Sequence, residues 1–421
     1  MLGHELGLVN KSLLVRQSMM RILSCVLLAS SLLAQLSSAS YLARRATCTV
    51  ASAGKSGTDD VPAIEAAIKS CGNGGIIVLS AGVTYQLRST LDFTGCVGCE
   101  VQIEGTLKMS DDLNFWQGVR AAIMINGING ATITTRTGSG VVDGNGVPFW
   151  IEFASNKDYK RPTLVYIQGA SNKITISNLR FKNPANVFHS VTGGSTNILY
   201  TNLRLDATST SDATAKNTDG FDVGSSKFVT IQHTTVKNQD DCVALKPGSD
   251  FARVNNITCT GSHGLSVGSL AGGAGSTDKV TNAYLGPATM VDSSKAVGIK
   301  LYQGGSSHGI ATVTNVTWAD ITVKNCDYAA QIQSCYGSSS TSDCTANPSK
   351  STVDGVYFRR FSGTTSSKED PVIANMNCPS AGTCNIFFES FNVKTPSGSN
   401  HVLCSNVDSN MGVSCSGAAD G

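Results

Sequence analysis

The feature that most constrains the fold is a loose repeat of short stretches that runs from about residue 100 to residue 365. Within each stretch β-branched and apolar residues alternate with polar ones, as in residues 173–181 (KITISNLRF) and 197–205 (NILYTNLRL). Such alternation indicates β-strands, and the Gly, Asn, Asp and Ser residues between the stretches favour tight turns. Ile174 and Ile198 occupy equivalent positions 24 residues apart, and a period of about 20 to 50 residues is typical of solenoids.

A coil of about 22 to 25 residues with three short strands predicts a right-handed parallel β-helix, which is an all-β, single-domain solenoid. In this fold each coil pairs with its neighbours, so residues one period apart stack at the strand spacing of about 4.8 Å. One long solenoid also accounts for a chain of 421 residues, whose length alone would suggest two or three domains.

A short N-terminal helix is predicted at residues 59–70 (DDVPAIEAAIKS). Asp59 or Asp60 can cap its N-terminus, and Ile64 and Ile68 lie on one apolar face. Because a solenoid exposes its apolar interior at each end, we expect this helix to cap the first coil.

Composition excludes several classes of protein. Hydrophobic residues make up 41% of the chain, which is too many for a disordered protein. The 43 glycines and the charged fraction of 15% argue against a helical protein. The 32 basic and 30 acidic residues give a net charge of +2 without any basic block, so no nucleic acid partner is expected.

The N-terminus carries an apolar run at residues 22–34 (ILSCVLLASSLLA), with basic residues before it and small residues after it. A transmembrane helix needs about 20 apolar residues, whereas this shorter pattern is typical of a secretory signal peptide. The pair Arg44-Arg45 is typical of a dibasic processing site. We therefore expect residues 1–45 to form a signal peptide and a short propeptide, and residues 46–421 to be secreted as an extracellular domain without membrane association.

The 14 cysteines indicate an oxidising compartment, because reduced cytosolic enzymes carry few disulfides. Removal of Cys25 with the signal leaves an odd number, which suggests disulfides plus one free thiol. No second CxxC accompanies Cys96-x-x-Cys99, so a small disulfide-closed loop is favoured over a redox pair or a zinc knuckle. The sequons at Asn256 and Asn315 predict N-glycosylation of a secreted protein.

Three acidic residues and a histidine are spaced along the sequence at intervals close to the length of one coil. Asp219 lies in an NTDG segment, Asp240 and Asp241 lie in QDDC, and His263 lies in GSHG. Asp219 and Asp240 are 21 residues apart, and Asp241 and His263 are 22 residues apart. In a β-helix these side chains would stack on one face. Carboxyl groups that close raise one another's pKa, which a structural protein avoids and the hydrolysis of a glycosidic bond uses.

Each segment by itself also has an ordinary structural interpretation. NTDG can be an Asx turn, DD can be a solvated corner or a calcium ligand, and the histidine of GSHG can be a loop residue bound to backbone. Their conjunction at near-coil spacing favours an active site. The remaining histidines of the mature chain are not part of such a cluster of acidic residues, and we expect them to be structural or solvated: His189, His233, His308 and His401.

The segments NTDG, QDDC, GSHG and Ile299-Lys300, in this order, resemble the four signature segments of family 28 of the glycoside hydrolases, the polygalacturonase family. The resemblance covers essentially the whole mature chain. It implies a right-handed parallel β-helix, no metal or other cofactor, and hydrolysis of α-1,4 bonds between galacturonic acid units with inversion. The partner would be a pectic polysaccharide. A monomer is expected, because such solenoids have capped ends and one open groove.

By motif position the resemblance implies that Asp240 is the general acid, that Asp219 and Asp241 activate water, and that His263 tunes or relays the proton. Substrate contacts are implied for four further residues: Asn217, Gly298, Lys300 and Tyr336. Among these, the lysine would pair with a substrate carboxylate and the tyrosine would help to place the sugar. Closely spaced carboxyls generally indicate a retaining enzyme, but the family holds a water between its acids and inverts.

The cysteines extend the resemblance. The family's disulfides resemble five pairs in this chain: Cys48–Cys71, Cys242–Cys259, Cys335–Cys344, Cys378–Cys384 and Cys404–Cys415. On that pairing Cys326 would be the unpaired thiol.

The chain departs from the family at Gly298, where polygalacturonases carry an arginine two residues before the lysine. Loss of a bidentate guanidinium should weaken carboxylate recognition. The surrounding KAVGIKLYQGG segment is similar to the branch of the family that acts on xylogalacturonan, whose galacturonate carries xylose. We hypothesise that Gly298 makes space for the xylosyl branch.

Three other functions stay open. An exopolygalacturonase acting on unbranched polygalacturonate also carries the longer GSHGLSVGS segment. A pectate lyase shares the β-helix, but it needs calcium and an arginine base, and no arginine lies near the acids in sequence. A non-catalytic carbohydrate-binding solenoid would gain nothing from three crowded carboxylates.

Overall fold

The structure, a computed structural model, describes residues 45–419 apart from residues 339, 381 and 409. The predicted signal peptide and almost all of the predicted propeptide lie outside the described residues. The residues from Ala46 onward belong to one compact unit. Of the helices in the described part, none is long and apolar enough to cross a membrane.

The described part of the chain contains 30 strands and four short helices. The helices are α1 Val61–Cys71, α2 Leu113–Trp116, α3 Val147–Ser155 and α4 Thr341–Ala346. The strands are β1 Thr47–Val50, β2 Ile76–Leu79, β3 Thr84–Leu87, β4 Leu91–Asp92, β5 Val97–Ile103, β6 Thr106–Met109, β7 Ala121–Asn126, β8 Asn129–Thr134, β9 Val141–Asp143, β10 Thr163–Gln168, β11 Asn172–Ser177, β12 Arg180–Lys182, β13 His189–Val191, β14 Ser195–Thr201, β15 Arg204–Asp206, β16 Phe221–Val223, β17 Ser226–Lys237, β18 Val243–Leu245, β19 Ser249–Asp250, β20 Arg253–Thr260, β21 Leu265–Leu270, β22 Thr277–Leu285, β23 Ala288–Val291, β24 Lys295–Tyr302, β25 Ile310–Cys326, β26 Tyr328–Tyr336, β27 Thr352–Thr365, β28 Val372–Asn377, β29 Cys384–Lys394 and β30 His401–Ser405.

The strands form two parallel networks. Eleven strands make one sheet, in the order β4, β7, β10, β13, β16, β18, β21, β24, β26, β28 and β30. The other 19 strands form a second network, because long strands such as β17 pair with two rows at once, β14 in one row and β15 in the other. The parallel β-helix predicted from the repeat is therefore confirmed.

Stacked apolar side chains fill the interior of the coils. In β16 the side chain of Phe221 is buried, whereas Asp222 lies on the outer face. Phe221 pairs with Val243, Val243 with Leu265, and Leu265 with Val297 on successive coils. Each of these four apolar residues is at most 1% exposed. Burial of apolar area contributes about 25 cal/mol per Å², and no coil can achieve that burial without its neighbours.

Helix α1 matches the predicted capping helix. Ile64 and Ile68 are fully buried on the face that packs against β1–β4 of the first coils. Asp59 accepts a hydrogen bond from the amide of Val61 at 3.2 Å. Asp60 stands at the N-cap position but makes no side-chain cap; its carboxylate binds backbone amides of the first coils instead.

Six disulfides are present in the described residues. They comprise the five pairs implied by the resemblance and the small loop closed by Cys96 and Cys99. Cys242, which directly follows Asp241 in the chain, is bonded to Cys259 and so anchors the coil that carries two of the acids. Cys326 is buried and unpaired, and burial raises the pKa of its thiol to about 11.

The two sequon asparagines are exposed, Asn256 in β20 and Asn315 in β25. The side-chain amide of Asn256 lies 2.9 Å from Nδ1 of His233, and that of Asn315 donates to the side chain of Asn282 at 2.8 Å. Exposure is what glycosylation requires, and the modification itself stays a prediction.

His189 is a core residue, as expected from its lack of acidic neighbours. Its ring stacks on Phe221 with centroids 5.1 Å apart and meets the edge of Phe181 at 4.4 Å. Burial lowers the pKa of His189 to about 3. The imidazole is therefore neutral and takes no part in proton transfer.

Candidate active site

Successive coils present the acids and the histidine at the same end of the 11-stranded sheet. Asp219 lies two residues before β16, Asp241 two before β18, and His263 two before β21. These strands are parallel neighbours in register, so their preceding residues also stack one coil apart. The backbone continues this alignment, because the amide of His263 donates to the carbonyl of Asp240 at 2.8 Å.

Asp240 is the most open of the three acids, with its side chain 14% exposed. Its Oδ1 lies 3.2 Å from Nδ1 of His263 and accepts the amide of Asp241 at 2.8 Å. Asn217 donates to Oδ2 at 3.3 Å. Burial acts to raise the pKa of Asp240, but the hydrogen bond and charge of His263, the amide of Asp241 and the charge of Lys300 outweigh it and lower the pKa to about 2. Asp240 is therefore ionised at neutral pH.

Asp241 is held by a buried ion pair. Lys300 Nζ donates to both carboxylate oxygens, at 2.9 and 2.6 Å, and Ser266 Oγ donates to Oδ1 at 2.7 Å. The side chains of Asp241 and Lys300 are 2% and 7% exposed. Burial acts to lower the pKa of Lys300, but the carboxylate of Asp241 outweighs it and raises the pKa. The lysine thus stays charged and directs two of its three hydrogens to Asp241. Its ammonium lies 5.6 Å from the ring centre of Tyr336.

Asp219 shares its surroundings with two residues that the motifs did not indicate. Lys246 Nζ lies 3.5 Å from Asp219 and 3.4 Å from Asp222. Burial raises the pKa of Asp219 well above its usual range and Asp222 adds to the effect, while Lys246 opposes it. Burial raises the pKa of Asp222 as well, again against Lys246. One ammonium therefore faces two carboxyls, and the pair retains a proton.

This proton predicts a pH-dependent stability. A carboxyl whose pKa is raised by folding favours the folded state below its ordinary pKa, and the benefit is lost as pH rises through the raised value. We expect Asp222→Asn to reduce the loss of melting temperature between about pH 4 and pH 8, because Asp219 and Lys246 then form a neutral pair. Calorimetric scans across that range provide the measurement. Asp250→Asn is the control, because hydrogen bonds and Lys227 lower the pKa of Asp250 against the opposing effect of burial. This variant should change the melting temperature by the same amount at each pH in the range. If the melting temperature of the Asp222 variant fell as steeply with pH as that of the unmodified protein, the shared proton would be contradicted.

Arg161 enters the site from far away in the sequence. Its guanidinium donates to the side chain of Asn217 at 2.8 Å and to the carbonyls of Lys216 at 2.7 Å and Ala185 at 3.0 Å. It also lies 3.8 Å from the ring centre of Phe153, in α3. No arginine lies near the acids in sequence, but Arg161 lines the same cavity as the acids in the folded chain. Burial lowers the pKa of Arg161 to about 10, so the group stays charged and positions the NTDG turn without acting as a base.

The surroundings of Gly298 correct a second expectation. A Cβ placed on Gly298 would lie 2.6 Å from the carbonyl oxygen of Gln331 and 2.8 Å from Cδ of Lys295. The prediction that Gly298 leaves open space for a sugar branch is therefore wrong. The aliphatic stem of Lys295 fills the space beside Gly298. A residue with a Cβ at position 298 would not let this stem lie so close to the backbone.

Two cavities adjoin at the candidate site, and all three acids line the first of them. A cavity of ≈ 550 Å³ lies on the N-terminal side, and a cavity of ≈ 310 Å³ lies on the C-terminal side. Both are lined by Lys300 and Tyr336. The other basic residues of the first are Lys157, Lys160, Arg161 and Lys246, and those of the second are His263, Lys295 and Lys368. In a chain with a net charge of only +2, this concentration favours an elongated anionic ligand that crosses the acids.

Comparison with known proteins places this geometry in a family. The model of "Glycosyl hydrolases family 28" matches residues 71–415. The chain belongs to this family. It is therefore a glycoside hydrolase, as the four segments predicted.

Relatives support the same placement. The chain is 54% identical to probable endo-xylogalacturonan hydrolase A of Neosartorya fischeri, over 90% of this chain and 92% of the relative. It is 52% identical to endo-xylogalacturonan hydrolase A of Aspergillus tubingensis, with the same coverage of both chains. A crystal structure of the endo-xylogalacturonan hydrolase from that organism superposes with a TM-score of 0.87 over 89% of this chain and 100% of that one, at 52% identity.

A more distant structure shows the fold alone. Endopolygalacturonase I from Stereum purpureum has a TM-score of 0.57 at 22% identity, over 88% of this chain and 99% of that one. The two share the β-helix.

One group of side chains in this family 28 hydrolase has the spacing of metal ligands. Ligand atoms of Asp240, Asp241 and His263 lie within 4.8 Å of one another. The ammonium of Lys300 already contacts both oxygens of Asp241, so a lysine supplies positive charge at the position where a cation would bind. A reaction without metal remains the prediction.

Proposed function

We propose that this hydrolase is secreted and cleaves internal α-1,4-galacturonosyl bonds of xylogalacturonan with inversion. The observation that carries the proposal is the stack of Asp219, Asp240 and Asp241 in the first of two adjoining cavities lined by basic residues. Identities of 52% and 54% to endo-xylogalacturonan hydrolases support the choice of substrate. Cavities on both sides of the acids favour cleavage within a chain over cleavage at its end.

Asp240 is the general acid in this proposal, because it is the carboxyl that an entering glycosidic oxygen can reach. The hydrogen bond and the charge of His263, 3.2 Å away, act to lower the pKa of Asp240. A bound polymer displaces water and brings its own carboxylates, and both changes raise the pKa of Asp240. The Asp240–His263 pair then holds the proton that passes to the leaving oxygen.

Asp219 and Asp241 flank the acid and orient the attacking water. Lys300 contacts both oxygens of Asp241, and Asp219 can accept the proton of the water when the proton that it shares with Asp222 lies on Asp222. A water held by these two carboxyls attacks the anomeric carbon on the face opposite the leaving oxygen, which inverts its configuration.

Secretion as a monomer completes the proposal. Six disulfides within the described residues suit an oxidising compartment. The apolar run and the dibasic pair of the N-terminus supply the export and processing signals. Helix α1 covers the first coils, and a covered end removes one strand edge that could pair with a second copy.

Product analysis tests the reaction. We expect saturated oligomers, formed faster from xylogalacturonan than from unbranched polygalacturonate, with a rapid fall in viscosity. Proton NMR of the first products should show the inverted anomer. Pretreatment with EDTA should leave the rate unchanged, because Lys300 rather than a cation neutralises Asp241.

Each alternative has its own signature in the same experiment. Monomeric galacturonate released mainly from the unbranched polymer would establish an exopolygalacturonase. Unsaturated products that absorb in the ultraviolet, together with loss of activity in EDTA, would establish a lyase. Binding without any cleavage would establish a carbohydrate-binding solenoid.

A further inference from the structure

Lys295 is a buried basic residue for which the described part of the chain supplies no partner. It is the first residue of β24 and only 5% exposed. Among the described residues the structure gives its ammonium neither a hydrogen bond nor an ion pair. The other buried or half-buried lysines of the groove differ, because Lys300 contacts Asp241 and Lys246 contacts two carboxyls. A buried ammonium is costly unless an anion pairs with it.

The side chain of Lys295 points into the groove. Its Cδ and Cε lie 2.8 and 3.0 Å from the position of a Cβ on Gly298, so the stem runs along the outer face of β24. It lines the C-terminal cavity together with His263 and Tyr336. Burial lowers the pKa of Lys295 to about 8, and the charge of Lys300 acts in the same direction. The ammonium thus lies beside the catalytic acids and their lysine, and no described residue neutralises it.

We propose that Lys295 binds the carboxylate of the galacturonosyl unit that occupies the C-terminal cavity. The inference rests on the proposed function, which makes the ligand a polymer of galacturonate. Lys300 is a poorer candidate, because two of its three hydrogens are directed to Asp241. Gly298 then has a defined role, since it lets the stem of Lys295 pass.

An ammonium also suits a branched ligand. It is a point charge with three rotatable donors, whereas a guanidinium fixes the plane of a carboxylate through two parallel bonds. A sugar that carries a substituent can therefore turn about Lys295 and keep its charge-assisted hydrogen bond.

Lys295→Met tests the proposal, because methionine keeps an unbranched stem over Gly298 and removes the charge. We expect the affinity for galacturonate oligomers, measured by calorimetric titration, to fall about 10- to 100-fold. KM on the acidic polymer should rise by a similar factor with kcat little changed. On the methyl-esterified polymer the variant and the unmodified enzyme should behave alike, so the preference for the acid form disappears.

Two further variants provide controls. Lys227→Met removes an exposed ammonium that lies outside both cavities and is paired with Asp250 at 3.3 Å. Affinity should therefore change by no more than about twofold. Lys295→Arg keeps the charge and should retain the preference for the acid over the ester. This variant also decides the question if the methionine variant does not fold.

The outcomes separate this inference from the proposed function. Acid oligomers that bind to Lys295→Met as tightly as to the unmodified enzyme would overturn the role of Lys295 and leave the hydrolase intact. A folded Lys295→Arg variant without preference for the acid form would overturn it as well. An unmodified enzyme that neither binds nor cleaves any galacturonan would overturn the proposed function, and the role of Lys295 with it.

Discussion

Replacement of Asp240 by asparagine is expected to lower kcat on xylogalacturonan by about 10²- to 10⁴-fold, which is the usual contribution of a general acid. An amide has the same shape but cannot hold the proton that the leaving oxygen needs. The fold should be retained, because the side chain is 14% exposed and an amide oxygen can still accept the hydrogen bond from the amide of Asp241. Steady-state rates and melting temperatures of the purified variant provide the measurement.

Asp327→Asn is the matched control for this experiment. Asp327 lines the C-terminal cavity and pairs with Lys368 at 2.7 Å, so it shares the groove without lying in the catalytic stack. Its replacement should change kcat by less than about threefold, as expected for an exposed pair. Similar losses in both variants would mean that the overall charge of the groove, rather than proton transfer from Asp240, sets the rate.

Lys300→Met should have the largest effect on stability. The substitution leaves Asp241, which is 2% exposed, without the cation that contacts both its oxygens. Removing one partner of a buried ion pair typically costs about 3–5 kcal/mol. We expect the free energy of unfolding, measured by urea denaturation with the disulfides intact, to fall by that amount. Activity should fall as well, because Lys300 no longer holds the carboxylate of Asp241 in place.

A second substitution separates the lost charge from the lost packing. Lys300→Met combined with Asp241→Asn removes both charges, and replacing a whole buried pair is often nearly neutral. The double variant should therefore recover most of the lost stability without recovering activity. Lys368→Met breaks an exposed pair of similar length, 2.7 Å, and should cost at most about 1 kcal/mol. A double variant as unstable as the single one would show that packing of the lysine stem, not its charge, stabilises the site.

Much of the fold and part of the site could be predicted because both are periodic in the chain. The alternation within each strand and the repeat of about one coil can both be read directly from the order of residues, and together they predict a parallel β-helix. The same period predicts that Asp219, Asp241 and His263 stack. The disulfides were accessible through the resemblance to a family, and helix α1 through its apolar face.

The residues that were missed all act across coils. Arg161 reaches the NTDG turn from a segment more than 50 residues earlier in the chain, and no local pattern announces that contact. Asp222 lies on the outer face of β16, and Lys246 directly follows the neighbouring strand β18. Once the pairing register of these strands is known, the alternation of inward and outward side chains would place both residues on the outer face, which forms the groove.

Gly298 shows why a local interpretation fails at such a position. A glycine has no side chain, so the sequence by itself predicts open space beside position 298. In the folded chain the volume is taken by Lys295, because the backbone of β24 carries that side chain across the glycine.

The sequence by itself determined the solenoid, the order of its coils and the convergence of the acids, because these follow from the repeat length that residues 100–365 display. Only the tertiary structure decided which cation neutralises which acid. Lys300 pairs with Asp241, Lys246 pairs with the two carboxyls before it, and Lys295 is left to a ligand. These choices depend on distances of a few ångströms between side chains on different coils, and burial makes such distances decisive for charge.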